Sequence, residues 1–166
     1  FRLQEDSDAA SYLAATMTDA GWGKVDWTWN ETIRVAAGAR WEDYRQVALP
    51  WNPIAFGGTQ VPTDPVVLES LVFAEDEWYP ALGITYIGDL WAETFQLRLG
   101  YSETTIRPDL REITAASYID PLTDARVDGN PQIRPTELEN IDLRAEWFFA
   151  NGDNFTVTLF NKDMTN

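Results

Sequence analysis

Three consecutive carboxylates, Glu75, Asp76 and Glu77, are the residue types and spacing in this sequence that most directly suggest chemistry. Carboxylate oxygens form the ligand set of calcium loops, and a pair of carboxyl groups carries the acid–base catalysis of glycosidases. A run of adjacent acidic residues is more often a solvated loop. We therefore expect no metal site, no cofactor and no catalytic pair here.

Histidine and cysteine are both absent from the 166 residues. Their absence excludes disulfides, imidazole and thiolate metal sites, and the Ser-His and Cys-His nucleophile pairs. The formal net charge of -15 opposes nucleic-acid binding, because a phosphate backbone requires a basic patch. No apolar run reaches the roughly 20 residues of a membrane helix. These absences remove much of common enzymology, and we expect no nucleic-acid partner.

Elsewhere, charged residues alternate with apolar ones, which is the pattern of strands with one polar and one apolar face. This period of two predicts six strands, at residues 24–29, 32–43, 78–88, 93–102, 140–148 and 154–162. An Ala-rich segment at residues 8–17 favours a helix by composition but has mixed apolar spacing, so its structure is left open. The charged residues of the polar face are Arg34, Arg40, Glu42, Arg98, Asp142, Arg144 and Glu146.

The connections between these strands are of two kinds. Short polar turns at residues 29–32, 88–93 and 151–154 each join two strands as a hairpin. Connections of roughly 30 residues, at about 47–76 and 106–137, lie between the hairpins, and loops of that length are usually functional. In an up-and-down meander all the short turns fall at one end of the sheet and both long loops at the other. This asymmetry is typical of an outer-membrane barrel with short periplasmic turns and long external loops.

Two architectures fit a two-faced sheet: a soluble β-sandwich, and a membrane barrel whose apolar face contacts lipid. Tryptophans near strand ends favour the barrel, because aromatic girdles lie at the membrane interfaces; these are Trp27, Trp29, Trp41, Trp78, Trp91 and Trp147. Packing against a second sheet in the same chain would favour the sandwich, and the positions that decide this are Val35, Leu97, Leu99 and Leu143.

Residues 100–163 resemble the C-terminal part of the barrel of TonB-dependent outer-membrane receptors. The resemblance rests on RPDLRE at 107–112, on GNP at 129–131 with Pro135 beyond it, and on LRAEWF at 143–148 followed by FNKD at 160–163. Residues 32–43 and 77–86 fit more loosely. Ile133 and Asn161 depart from the usual Leu and Tyr of the family. We interpret GNP as a structural turn at residues 128–131, with Pro131 and Pro135 delaying strand pairing until Leu138.

The resemblance implies an all-β fold, an antiparallel up-and-down meander that forms a segment of a transmembrane β-barrel. Residues 1–166 would be one partial barrel domain, with nothing in them that resembles the N-terminal plug domain. The implied function is uptake of a nutrient, an iron chelate, cobalamin or an oligosaccharide, across the bacterial outer membrane. The implied partners are outer-membrane lipid, the small nutrient ligand, and the TonB protein through the missing N-terminal part.

Within this hypothesis the polar-face charges would line the barrel lumen, forming cross-strand ion pairs or contacting a plug. Trp51 and Tyr118, in the two long loops, are the candidates for stacking on a ligand, with loop packing as their alternative role. Six strands at about 4.8 Å give a sheet roughly 29 Å wide, whereas bacterial barrels need at least about eight strands. We therefore expect the chain to be partial. A soluble carbohydrate-binding β-sandwich is the alternative function.

Overall fold

A computed structural model describes residues 12–50, 62–114, 117–120 and 122–165. The elements in chain order are β1 (Tyr12–Trp29), β2 (Ile33–Pro50), α1 (Pro65–Leu71), β3 (Phe73–Gly88), β4 (Thr94–Ile106), β5 (Ser117–Ile119), β6 (Arg126–Asp128), β7 (Thr136–Phe148) and β8 (Asn154–Thr165). Among the described residues, no helix has the length and apolar character needed to cross a membrane.

The long strands form one sheet in the order β1-β2-β3-β4-β7-β8, and β5 pairs with β6 in a separate two-stranded sheet. Each long strand therefore neighbours the next long strand along the chain, which is an up-and-down meander. All six predicted strands are present, and the predicted all-β antiparallel fold is confirmed. The segment left open at residues 8–17 is strand from Tyr12 onward, and its first four residues lie outside the described residues.

The strands are longer than the alternation predicted, and the long connections are correspondingly shorter. Strand β2 continues to Pro50 and β3 begins at Phe73, so residues 51–72 join them. Helix α1 lies in this connection, with Pro65 at its start and the Asp64 carboxylate accepting a hydrogen bond from the Val66 N–H at 2.9 Å. Residues 107–135 form the other connection, which contains the β5–β6 hairpin.

Polar residues that tolerate left-handed backbone close the short turns. Between β1 and β2, Asn30 and Glu31 have φ of 48° and 57°, and the Thr32 N–H donates to the Trp29 carbonyl at 3.1 Å. Between β7 and β8, Gly152 has a φ of 88°, which costs glycine little because it lacks a Cβ. These turns set the register of the hairpins they close.

The chain divides into two compact units, which are described separately. The sheet unit comprises residues 20–42, 77–106 and 135–166, and the loop unit comprises residues 1–19, 43–76 and 107–134, in each case within the described residues. The division cuts across β1, β2 and β3, whereas β4, β7 and β8 lie wholly within the sheet unit.

The apolar residues of the sheet unit lie in register across neighbouring strands. Ile84 is opposite Leu99, Leu99 is opposite Leu143, and Leu143 is opposite Leu159. The next apolar row of the same face is Tyr86, Leu97, Ala145 and Val157. Such cross-strand apolar pairs stabilise a sheet, but they do not shield its apolar face from solvent.

This apolar face is exposed in the described structure. Leu97, Leu99 and Leu143 are 37%, 43% and 38% exposed, values that a residue packed against a second sheet would not have. Large side chains exposed in this contiguous way mark a surface that contacts something apolar. The packing that would have supported a β-sandwich is therefore missing at these three positions.

Aromatic rings gather at the short-turn end of the apolar face. Phe95, Trp147 and Phe155 are register neighbours on three strands, with ring centroids 5.0 Å and 5.5 Å apart. Tyr86 joins this row with its ring 6.4 Å from that of Phe95. A row of aromatic side chains of this kind forms the interfacial girdle of membrane barrels.

In the loop unit, a clasp between residues 109–114 and 129–130 holds both ends of the second long loop. The Glu112 carboxylate accepts the Asp109 N–H at 2.9 Å, and the Glu112 carbonyl accepts the Asn130 N–H at 2.6 Å. A Cβ on Gly129 would lie 2.7 Å from the Arg111 carbonyl oxygen and closer still to that of Thr114. Only glycine allows the two segments to approach this closely.

The clasp gives RPDLRE and GNP their structural role. The turn after Gly129 spans residues 130–133, because the Ile133 N–H donates to the Asn130 carbonyl at 3.2 Å, so it lies two residues later than predicted. Strand β7 then begins at Thr136, two residues before the predicted Leu138. The earlier start of β7 follows from the pairing of Thr136 with Ile106 of β4, and the shifted turn comes directly after the contact of Gly129 with residues 111–114.

We predict that Gly129→Ala opens the clasp, because the added methyl cannot fit against the carbonyl oxygens of Arg111 and Thr114. Limited proteolysis of the folded variant should cut the loop at residues 107–135 at least several-fold faster than in the parent protein. Gly100→Ala is the matched control, since its methyl would meet no atom nearer than 3.8 Å. Equal cleavage rates in the two variants would contradict the clasp.

Candidate functional site

The polar face of the sheet unit carries the charged residues predicted from the sequence. Register places Arg98 on β4 directly opposite Arg144 on β7, and Gln96 opposite Glu146. Asp142 lies opposite Gly100 on the same face. Arg34, Arg40 and Glu42 share one face of β2 by alternation.

Glu146 compensates the two opposed arginines. Its side chain is 8% exposed, and its carboxylate lies 2.7 Å from Arg144 Nη2 and 3.4 Å from Arg98 Nη2. Two like charges directly opposite one another destabilise a strand pair, so the carboxylate between them is what allows this arrangement. The same three residues present two half-exposed guanidinium groups on the polar face.

Further ion pairs occupy strands β1 and β2. Arg34 forms a two-pronged contact with Asp26 across the hairpin, with Nε–Oδ1 at 2.8 Å and Nη2–Oδ2 at 2.5 Å. Arg40 Nε lies 2.5 Å from Glu42 Oε1 two residues along the same strand. Paired guanidinium and carboxylate groups of this kind present charge and hydrogen-bonding capacity on the polar face.

A hollow of about 390 Å³, the polar-face hollow, interrupts this charged surface. Its floor is made of small residues, and alternation places the side chains of Trp22, Lys24, Arg40 and Tyr79 around it. A Cβ on Gly38 in the floor would lie 2.8 Å from the Gly23 carbonyl oxygen, so glycine is needed for β1 and β2 to approach. The other small residues of the floor are Ala36, Ala81 and Gly83.

Trp22 is the site residue that sequence reasoning missed. It alternates with Lys24 and Asp26, whereas Trp27 and Trp29 lie on the opposite face and stack with centroids 6.3 Å apart. Trp22 is 76% exposed. The even spacing of Trp22 from Lys24 and Asp26 was the available signal, since it puts a large aromatic ring on the charged face.

In the loop unit, Glu75 is a strand residue with a partner, which corrects the prediction of a solvated acidic loop at 75–77. It lies in β3, and Arg107 Nε and Nη2 both lie 3.1 Å from its Oε2 atom. The Arg107 guanidinium also covers the ring of Tyr44 at 4.2 Å, and Gln46 donates to the Pro108 carbonyl at 3.3 Å. These contacts fix the start of the second long loop. No group of three or more potential metal-ligand side chains comes together within the described ranges.

Tyr118, one of the two predicted ligand-stacking residues, lies in β5 opposite Val127 of β6. The hairpin around it is held by acidic residues at its ends. Hydrogen bonds from the Leu122 N–H and the Thr123 hydroxyl lower the pKa of Asp120, and those from Ser117 and Arg126 lower the pKa of Asp128. Both carboxylates therefore stay charged in mild acid. The other predicted residue, Trp51, lies outside the described residues.

Comparison with known protein families gives one match over nearly the whole chain. The model of a family described as TonB dependent receptor-like, beta-barrel matches residues 4–166. This match confirms the resemblance read from RPDLRE, GNP and LRAEWF. No curated protein and no solved structure matches the chain.

We predict that Glu146→Gln destabilises the barrel by about 1–3 kcal/mol, because it leaves Arg98 and Arg144 opposed without a counter-charge; the half-exposure of both arginines keeps the loss at this level. Urea unfolding of the protein in lipid vesicles would measure the change. The double variant Arg98→Gln with Glu146→Gln should recover part of the loss, since it also removes the repulsion. Additive losses in the double variant would contradict the bridging role.

Proposed function

The chain belongs to the TonB-dependent receptor family of bacterial outer-membrane β-barrels, and we propose that it forms part of the wall and two external loops of a receptor for one small nutrient. The family consists of receptors and transporters and not of enzymes. The observation that carries the proposal is the contrast between the two faces of one sheet. Its apolar rows are 37–43% exposed at Leu97, Leu99 and Leu143, while its other face carries ion pairs.

The polar face would line a water-filled lumen. Lumen-facing positions of a barrel carry polar side chains, whereas lipid-facing positions tolerate charge poorly, at about 2–4 kcal/mol for Arg or Lys at the membrane midplane. The charged positions proposed to face the lumen are Arg34, Arg40, Glu42, Arg98, Asp142, Arg144 and Glu146. In this arrangement each ion pair is solvated on one side and can contact a plug domain or a passing ligand.

The two long loops would bind the nutrient at the cell surface. Tyr118 lies between the two segments joined by the clasp, so its hairpin is tethered at both ends. A tethered loop loses less conformational entropy when it binds a ligand than a free loop does. Trp51 belongs to the other long connection. Both aromatic side chains can stack on a flat or ring-shaped ligand.

The nutrient classes compatible with this proposal are an iron chelate, cobalamin and an oligosaccharide. Cobalamin, oligosaccharides and iron chelates with aromatic groups present ring surfaces that an aromatic side chain can cover, together with polar groups for hydrogen bonds. Transport would be powered through the TonB protein, by way of parts of the receptor other than the wall. The role of residues 1–166 is then to shape the passage and to present the loops.

The proposal is tested by uptake of one labelled compound from each class into cells that make the receptor, with and without TonB. We predict TonB-dependent uptake of one class and about tenfold weaker binding of that compound after Trp51→Ala or Tyr118→Ala, equivalent to about 1.4 kcal/mol. Trp91→Ala is the control, because this residue lies in the short turn between β3 and β4 and is 83% exposed.

Uptake that is equal with and without TonB for all three compounds would contradict receptor function. Unchanged binding in both loop variants, with TonB-dependent uptake intact, would contradict only the role of Trp51 and Tyr118.

A further inference from the structure

A second hollow, the apolar-face hollow, has a volume of about 470 Å³ and is lined by Gly21, Trp22, Gly23, Ala39, Trp41 and Trp78. Ala39 and Trp41 continue the alternation of Val35 and Ala37 on β2, so their side chains belong to the apolar face of the sheet. This volume falls within the range of small-ligand sites, which is roughly 300–1,000 Å³.

The hollow exists because Gly21 and Gly23 have no side chains to fill it. A Cβ on Gly21 or on Gly23 would have no neighbouring heavy atom within 4 Å, so the space above both glycines is open. Ala39 adds only a methyl group between them and the indoles of Trp41 and Trp78. Elsewhere on the same face, Leu99, Leu143 and Leu159 adjoin one another in a row of large side chains.

The hollow lies toward the long-loop end of the sheet. Trp41 follows Ile33, which borders a short turn, by eight residues, or about 27 Å of strand at roughly 3.4 Å per residue, and this length spans about 20 Å of height in a strand tilted by roughly 40°. The apolar band of an outer-membrane barrel is about 25 Å tall, with aromatic residues at both of its edges. Trp41 and Trp78 therefore occupy the edge of the band on the side of the external loops, which corresponds to the outer leaflet.

We propose that the apolar-face hollow is a binding site for one acyl chain of an outer-leaflet lipid. The inference rests on the proposed assignment of the apolar face to lipid, and the hollow is continuous with that face. Its lining is almost entirely apolar, which suits a hydrocarbon chain. The glycine backbones form the floor, and the two indole rings form walls that a flat leucine surface does not provide.

The same two tryptophans would also fix the depth of the lipid. An indole ring has an apolar body and a single N–H donor, and it prefers the boundary between hydrocarbon and headgroups. The acyl chain would lie along the glycines, with its ester carbonyl near the indole N–H of Trp78. A chain enclosed in this way exchanges with bulk lipid more slowly than one lying on the open rows.

Native mass spectrometry of the receptor purified from outer membranes tests the proposal, using the membrane's own lipid as the probe. The parent protein should retain one lipid after detergent removal. Gly23→Leu fills the hollow and should lower the retained fraction about tenfold, and Trp78→Ala removes one wall and should lower it as well. Ala145→Leu adds the same kind of side chain on the apolar face outside the hollow and should leave retention unchanged.

Equal retention in Gly23→Leu and Ala145→Leu would overturn the proposal, as would a retained mass that corresponds to detergent only. Trp78→Ala keeps the test informative if Gly23→Leu fails to assemble in the membrane. Lipid retention does not depend on TonB or on the nutrient. If the receptor retains lipid but shows no TonB-dependent uptake, only the proposed function is contradicted. If uptake occurs but no lipid is retained, only the lipid site is contradicted.

Discussion

The fold depends on one constraint: a single sheet has an apolar face that none of the described elements buries. Among the described residues the buried hydrophobic side chains are only Tyr44, Leu49, Phe95 and Leu138, which is far less than a soluble domain of this size requires. The stability of the sheet must therefore come from an apolar solvent. A bilayer provides this solvent, and it also demands that backbone N–H and C=O groups pair within the sheet, as the β4–β7 and β7–β8 ladders do.

The opposite face follows from the same constraint. Because the central rows of the apolar face contact lipid, the charges at the same level of the strands lie on the other side, where pairs such as Arg34–Asp26 and Arg98–Glu146 neutralise one another. Small residues between them leave the polar-face hollow beside Trp22 and Tyr79. The described residues at the ends of the long loops are held by contacts distant in sequence, such as those of Arg107 with Glu75 and of Gly129 with Thr114. The alternation of apolar and polar residues therefore accounts for the sheet, and contacts between residues distant in sequence account for the described parts of the loops.

The sequence was informative where structure repeats locally and uninformative where it depends on distant contacts. Alternation around Leu97 and Leu143 predicted the strands and their faces, because a period of two is a property of each strand alone. The predicted end of β2 and the predicted start of β3 were wrong, because the strands extend to Pro50 and Phe73, beyond the residues in which apolar and polar side chains alternate regularly. Glu75 looked like part of a solvated acidic run because its partner Arg107 is 32 residues away. The clasp at Gly129 could be predicted as a turn but not as a contact with Thr114.

Solvent accessibility of single cysteines tests the two-faced wall most directly, and none of the 166 residues is a cysteine that would have to be replaced first. Cysteine would be placed at Leu99, Leu143 and Leu159 on the apolar face, and at Arg98, Thr156 and Thr158 on the polar face, in the protein in its outer membrane. A charged, water-soluble thiol reagent should label the polar-face positions and leave the apolar-face positions unlabelled. Labelling of both faces at similar rates, or of the apolar face preferentially, would contradict the account.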